Sequence, residues 1–135
     1  MGCDIHLYLE KQVKGKWERY KHDSEIDPSE RNYDVFAFLC GVRGVIIPKS
    51  YNRIGDRGIP EDTSYKENRC LSDPNAVYTY IGDHSFTHAT VKELKKLPWS
   101  KQDDYIRRSA FCRWLYDAFP DGKNDSVRVL IGFDS

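Results

Sequence analysis

Apolar and polar residues alternate along the first ten positions of the chain. The apolar positions are Ile5, Leu7 and Leu9. The polar positions between them are Asp4, His6, Tyr8 and Glu10. A period of two is typical of a β-strand with one buried face, so we predict a strand over residues 3–13. A second strand over residues 16–20 would complete a hairpin that turns at Lys14-Gly15-Lys16.

Two helices are predicted from the residues at their ends. Asn32 can cap a helix that Gly41 would end, because asparagine caps orphan amides and glycine tolerates the left-handed backbone at a helix end. Thr90 and Glu93 form a capping-box pattern at the start of another helix, which Pro98 would stop.

The rest of the pattern predicts one long helix and two more strands. Apolar residues recur at helical spacing over residues 101–119, where Ser100 would be the cap. Residues 77–81 and 126–134 have the composition of strands. Residues 43–75 are rich in Gly, Pro, Asn, Asp and Ser, and an irregular segment of this length in a small domain is commonly functional.

These elements predict an α+β fold in a single domain over residues 1–135. A partly antiparallel sheet would contain the N- and C-terminal strands, and about three helices would pack on it. A chain of 135 residues is long enough to bury most of its apolar side chains in one core.

The charge balance narrows the class of partner. The chain has 21 basic and 21 acidic residues and a formal net charge of zero. A non-specific nucleic-acid binder would show a basic excess, so we predict no such binding. The sequence contains no apolar run of membrane-spanning length and no signal-peptide pattern. We therefore expect a cytosolic protein that does not bind membranes. The sequence is compatible with a monomer or a homo-oligomer.

Cysteine and histidine spacing predicts neither a metal site nor a cofactor. The chain has four cysteines, at Cys3, Cys40, Cys70 and Cys112. They are far apart in the sequence and form no CxxC pair. His84 and His88 are four residues apart but belong to no HExxH motif. We therefore interpret the cysteines as buried thiols of a reducing compartment.

Three loops combine arginine with glycine or with a helix end. They carry Arg31-Asn32-Tyr33-Asp34, Gly41-Val42-Arg43-Gly44 and Arg57-Gly58. Arginine presents a planar set of donors that suits phosphate, and neighbouring glycines allow backbone amides to approach a ligand. If these loops converge, they would form a phosphate-binding pocket. The alternative is that each arginine pairs with a nearby Asp or Glu.

Polar and aromatic side chains could complete such a pocket. His84 and Ser85 follow the strand predicted over residues 77–81, and with Asp4 and His6 they could form an acid/base group or, as the weaker alternative, a metal site. Tyrosines on or beside the long loop could stack on a nucleobase, and these are Tyr51, Tyr65, Tyr78 and Tyr80.

Several stretches together resemble a family of short bacteriophage proteins of uncharacterised activity. The stretches are Met1-Gly2-Cys3-Asp4-Ile5-His6-Leu7-Tyr8, Arg31-Asn32-Tyr33-Asp34-Val35-Phe36-Ala37, Gly41-Val42-Arg43, Arg57-Gly58-Ile59-Pro60-Glu61-Asp62-Thr63-Ser64, His84-Ser85, Thr90-Val91-Lys92-Glu93-Leu94 and Val127-Arg128 to Phe133-Asp134. The chain departs from the family pattern at Phe86 and His88, where a second His-Ser pair followed by Trp is expected. The resemblance implies a viral protein in the cytosol of an infected bacterium.

The leading hypothesis is a phage-encoded pocket for a nucleotide-derived ligand that bears phosphate, used to sequester a defence signal of the host. The ligand-binding residues would be Asp4, His6, Tyr8, Arg31, Asn32, Asp34, Arg43, Arg57, Gly58, His84 and Ser85. One alternative is a phosphodiesterase or other hydrolase that cleaves such a nucleotide, and its catalytic candidates are His6, His84 and Asp4. Another is an inhibitor that binds an acidic host protein through its arginine-rich loops.

Overall fold

The computed structural model describes residues 2–22, 24–42, 54–65, 81–120 and 126–134. The strands are β1 Asp4–Val13, β2 Lys16–Tyr20, β3 His84–Thr90 and β4 Val127–Asp134. The helices are α1 Tyr33–Cys40, α2 Val91–Lys95, α3 Asp104–Arg107 and α4 Ala110–Ala118, with a 3₁₀ turn at Trp99–Lys101. The strands form one sheet in the order β2-β1-β4-β3, and each of the described pairs is antiparallel. The predicted α+β fold with both terminal strands in the sheet is confirmed.

One face of the sheet packs against the helices, and we call it the helix face. Alternation along β1 and β4 sends apolar side chains to this side, and the buried ones are Ile5, Leu9, Val127, Val129, Ile131 and Phe133. They join a core with aromatic side chains of the helices, and these are Phe36, Phe38, Trp99, Phe111 and Trp114. Burial of this cluster is the main stabilising term of the fold.

The opposite face of the sheet, which we call the second face, is also partly covered. Residues 54–65, which we call the covering segment, begin at the helix-face core with Ile54 and continue onto the second face, where Ile59 and Tyr65 pack with Ile81 and Leu130. The carbonyl oxygen of Ile81 lies only 1.8 Å from the position that a Cβ on Gly132 would occupy. Only glycine at position 132 therefore allows the chain to cross β4 at this point.

Helix α1 has the predicted start and end. The Asn32 side chain accepts a hydrogen bond from the Val35 amide at 3.1 Å, and Gly41 follows the helix with φ 70°. The capping box at α2 is also confirmed, because Thr90 and Glu93 each bind the backbone amide of the other. Helix α2 ends at Lys95, two residues before the predicted end.

The prediction of one long helix over residues 101–119 is wrong. The segment begins at the last residue of the 3₁₀ turn and then forms α3 and α4, and each of the two helices has its own cap. Asp103 caps α3 through the Ile106 amide, and Ser109 caps α4 through the Cys112 amide. The apolar spacing continues through the break because both helices bury one side against the same core.

Strand β3 was not predicted, since His84 and Ser85 were expected to follow a strand over residues 77–81 and Thr90 to begin a helix. Their composition is polar, with two histidines, a serine and two threonines, so the pattern lacks the apolar alternation of a strand. The strand forms because it pairs with β4 over the span from His84–Phe133 to Thr90–Arg128. Apart from Ile81, the strand predicted over residues 77–81 lies outside the described residues.

No helix within the described ranges is long and apolar enough to cross a membrane.

Candidate ligand-binding groove

The predicted polar row of β1 lies on the second face, where β4 supplies partners that the sequence did not reveal. Opposed residues on neighbouring strands point to the same face. Asp4 therefore sits beside Asp134, and His6 beside Gly132. Tyr8 is opposite Leu130 in the same way.

Arg31 binds Asp4 at the end of the sheet. Its Nε and Nη2 donate to Asp4 Oδ1 at 2.9 and 2.7 Å, and both side chains are about half exposed, at 51% each. The guanidinium also lies against Gly2, where a Cβ would stand 2.1 Å from Nη1. The hydrogen bond and the charge of Asp4 raise the pKa of Arg31. Arg31 thus follows the alternative prediction, pairing with a carboxylate.

His6 is held by a carboxylate from β4. The distance from His6 Nε2 to Asp134 Oδ2 is 2.6 Å, and the two side chains are 25% and 28% exposed. An imidazole oriented by a carboxylate and open to solvent is the arrangement that general acid/base catalysis uses.

His84 and Ser85 lie at an irregularity of β3 on the other side of the sheet. The register shifts between His84 and Thr87, and Ser85 has φ 57°. His84 Nδ1 is 2.9 Å from Ser85 Oγ, and its ring stacks on Phe133 with centroids 6.4 Å apart. Phe133 belongs to the helix face, whereas His6 belongs to the second face. The structure therefore does not bring His6 and His84 together as an acid and a base.

Arg57 occupies a different place from Arg31. Its Nη2 is 2.8 Å from Glu93 Oε2, and its Nη1 donates to the His88 carbonyl at 3.3 Å. Asp4 on β1 and His88 on β3 are two strands apart across the sheet, and their partners on β4 are four residues apart along it. This places the backbones of the two residues roughly 16 Å from each other. A single phosphate pocket that uses both arginines is therefore not formed. Arg43 lies outside the described residues.

The remaining predicted ligand-binding residues serve local structure. Asn32 caps α1 and also donates to the Tyr105 carbonyl at 3.0 Å, and Asp34 lies in the first turn of α1. Gly58, with φ 74°, donates its amide to the Phe86 carbonyl at 2.9 Å. Tyr8 packs on Tyr65 with ring centroids 5.0 Å apart, and burial raises its pKa.

A buried ion-pair network was missed by the sequence interpretation. Glu10 is fully buried, and Arg128 donates from Nε to its Oε1 at 2.9 Å, while Nη2 lies at an ion-pair distance of 2.9 Å from the same oxygen. Ser64 donates its amide and hydroxyl to Glu10 Oε2 at 2.6 and 2.5 Å. Arg128 also meets Asp62 at 3.0 Å and covers the Trp17 ring at 4.1 Å. The network fastens the covering segment to the sheet.

A groove of about 210 Å³ opens between the covering segment and α2, and we call it the Arg57 groove. It is lined by Ile54, Arg57, Ala89, Glu93, Leu94, Lys96 and Leu97. Ile54 is held by a hydrogen bond from its amide to the Leu39 carbonyl at 3.0 Å. The Thr87 hydroxyl fixes the next turn, because it donates to the Gly55 carbonyl and accepts from the Arg57 amide. The groove is therefore built on positioned backbone.

The charged residues of the groove are two cations and one carboxylate. Both carboxylate oxygens of Glu93 already have partners. Oε2 binds Arg57, and Oε1 accepts hydrogen bonds from the amide and hydroxyl of Thr90. The hydrogen bond from Arg57 is the largest cause that lowers the pKa of Glu93. Lys96 has no ion-pair partner among the described residues, so its ammonium group leaves the groove with one net positive charge.

Metal binding and thiol chemistry find no support in the described part of the chain. No group of three or more His, Cys, Asp or Glu side chains there could hold a metal ion. Cys3, Cys40 and Cys112 are buried, and burial raises the pKa of Cys40 to about 12. A thiol with such a pKa is neutral at physiological pH and is therefore a poor nucleophile.

No protein-family model, curated protein or solved structure matches the chain.

Proposed function

We propose that this protein binds a small anionic molecule in the Arg57 groove. The observation that supports this most directly is the concave apolar floor with Arg57 and Lys96 at its edge. Small-molecule sites are typically apolar concavities with a few polar groups that orient the ligand.

The groove is suited to binding because its cation is held in place before a ligand arrives. Arg57 is fixed by Glu93 and by the His88 carbonyl, and these contacts leave further N–H groups of the guanidinium to meet an anion. A site whose groups are already ordered loses less conformational entropy on binding.

A phosphate-bearing, nucleotide-derived ligand is the first class to test, since Arg57 and Gly58 belong to the loops that suggested it. Sequestration of a host defence nucleotide by a phage protein is the biological role that we propose. It rests on the sequence resemblance.

The test is a binding titration with a panel of cyclic and ADP-ribose-type nucleotides and inorganic phosphate. Free and heat-released fractions would be analysed by mass spectrometry. Lys96→Ala should weaken binding about tenfold, because a hydrogen bond to a charged group contributes about 1.5–3 kcal/mol. Lys92→Ala is the matched control, since Lys92 is an exposed lysine of α2 that does not line the groove. Equal affinities for the two variants would refute the Arg57 groove as the site.

A hydrolase is the second candidate, and the contact between His6 and Asp134 favours it. In that case a ligand would be recovered with a new mass. Turnover should fall in His6→Ala and in Asp134→Asn, while the affinity for substrate is retained. Intact recovery of every ligand, with the protein in excess, would exclude this candidate for the compounds tested.

A further inference from the structure

The Arg57 groove has a floor that differs from the usual nucleotide site, and from it we infer the class of ligand. We propose that the bound part of the ligand is a short saturated chain with one negative charge, such as an aliphatic carboxylate. This inference rests on the proposed function, namely that an anion binds in the groove.

The floor of the groove is aliphatic. Its apolar residues are Ile54, Ala89, Leu94 and Leu97, and no aromatic side chain of the described residues lines it. Proteins that hold a nucleobase commonly stack it on an aromatic ring, which contributes about 1–3 kcal/mol per base. Tyr65, the described tyrosine expected to stack on a base, instead packs over the second face. A saturated chain packs against branched aliphatic side chains and needs no aromatic ring to stack on.

The volume of the groove sets the size of the bound part. At about 30 Å³ for each water-sized group, a space of about 210 Å³ holds about seven such groups. The groove is open on one side, so a larger ligand such as a complete nucleotide would place only part of itself in this space. A chain of about six to eight carbons matches it at roughly one water-sized group per methylene.

The charge of the groove favours a single negative charge. Arg57 and Lys96 supply two positive charges, and Glu93 removes one of them. A carboxylate between Arg57 and Lys96 would make the groove neutral. A second negative charge, as on a phosphate monoester, would be placed near the Glu93 carboxylate and would be repelled by it.

The closing experiment compares ligands of matched length by titration calorimetry or by chemical shifts of the Leu94 and Leu97 methyl groups. The probes are butyrate, hexanoate and octanoate, with 1-octanol as the uncharged partner, octyl phosphate as the dianionic partner, and AMP and cyclic AMP as nucleotides. The affinity for carboxylates should rise about fourfold per added methylene until the groove is full. Octanoate should bind more tightly than 1-octanol and octyl phosphate. In Lys96→Ala, octanoate and 1-octanol should bind with equal affinity, whereas in Lys92→Ala octanoate should still bind more tightly.

Each other outcome overturns a defined part of the argument. Nucleotides that bind while carboxylates do not, with loss in Lys96→Ala, would overturn this inference and leave the proposed function standing. Carboxylate binding without chain-length dependence, or without dependence on Lys96, would overturn the inference as well. The absence of binding for all probes would count against both the inference and the proposed function.

Discussion

Ser85 carries the clearest backbone strain among the described residues outside a turn. It has φ 57° inside β3, in the left-handed region that costs a residue with a Cβ about 1–2 kcal/mol. The hydrogen bond between its hydroxyl and His84 Nδ1 is the local compensation at this position. Strain of this kind is commonly found beside functional sites.

Two replacements of Ser85 should measure the cost of its backbone conformation, because both remove the hydroxyl. We expect Ser85→Gly to have a free energy of unfolding about 1 kcal/mol higher than Ser85→Ala, because glycine adopts positive φ without a steric cost. Urea unfolding of both variants measures the difference. Lys14, with φ 50° in the hairpin turn, is the control position, and Lys14→Gly should likewise exceed Lys14→Ala. Equal stabilities at position 85 would show that its backbone is unstrained.

At the residue scale, the sequence predicted which side chains share the outer face of β1 but not what they contact. Asp4 and His6 were singled out from alternation alone, and alternation is a local property. Asp134, which orients His6, is 128 residues away in the chain. In the sequence, Lys96 at the end of α2 resembles the exposed Lys92, and only the covering segment beside it distinguishes the two lysines. Such contacts depend on the strand register, which cannot be read from the residues next to each other in the sequence.

At the scale of elements, the predictions succeeded where a short motif determines a boundary. Asn32, Gly41 and the pair Thr90 and Glu93 each act on amides or carbonyls within a few residues, so their effect is readable from the sequence. The predictions failed for β3, whose formation depends on pairing with β4. They also failed at Ser109, because apolar spacing does not distinguish one helix from two that share a core.

The break before α4 gives a test at the same scale. Ser109 is buried, and its hydroxyl both accepts from the Cys112 amide at 3.1 Å and donates to the Ile106 carbonyl at 2.7 Å. We expect Ser109→Ala to lower the free energy of unfolding by about 1–2 kcal/mol, the usual effect of losing a cap. Ser100→Ala is the control, since Ser100 is exposed and the 3₁₀ turn has no side-chain cap. Equal thermal or urea midpoints for the two variants would contradict a capping role for Ser109.

At the scale of the whole molecule, the network around Glu10 joins three strands and the covering segment. The Glu10 carboxylate binds Arg128 of β4 and Ser64, and the Arg128 guanidinium in turn covers the Trp17 ring of β2. Removal of one member of a buried ion pair leaves the other charge without compensation, which costs about 3–5 kcal/mol. The same removal would release the end of the covering segment at Asp62 and Ser64, while residues 54–57 keep their own contacts to Leu39, Thr87 and Glu93.

Glu10→Ala should therefore lower the free energy of unfolding by about 3 kcal/mol or more and increase protease cleavage within residues 54–65. Glu18→Ala, at an exposed glutamate of the neighbouring strand, should change stability by less than about 0.5 kcal/mol. Denaturant unfolding and limited proteolysis measure the two effects. A Glu10→Ala protein as stable as Glu18→Ala would show that the network does not hold the covering segment.

The central place of β4 has a consequence for how the protein is made. Both β1 and β3 pair with β4, and the described residues of β3 have no other partner in the sheet. During synthesis the β1–β2 hairpin emerges first, and a two-stranded hairpin alone is marginally stable in water. The edge of β1 that pairs with β4 stays unpaired until the ribosome has added β4, more than a hundred residues later. The sheet is therefore completed late in synthesis, and until then the nascent chain presents an unpaired strand edge to chaperones and proteases.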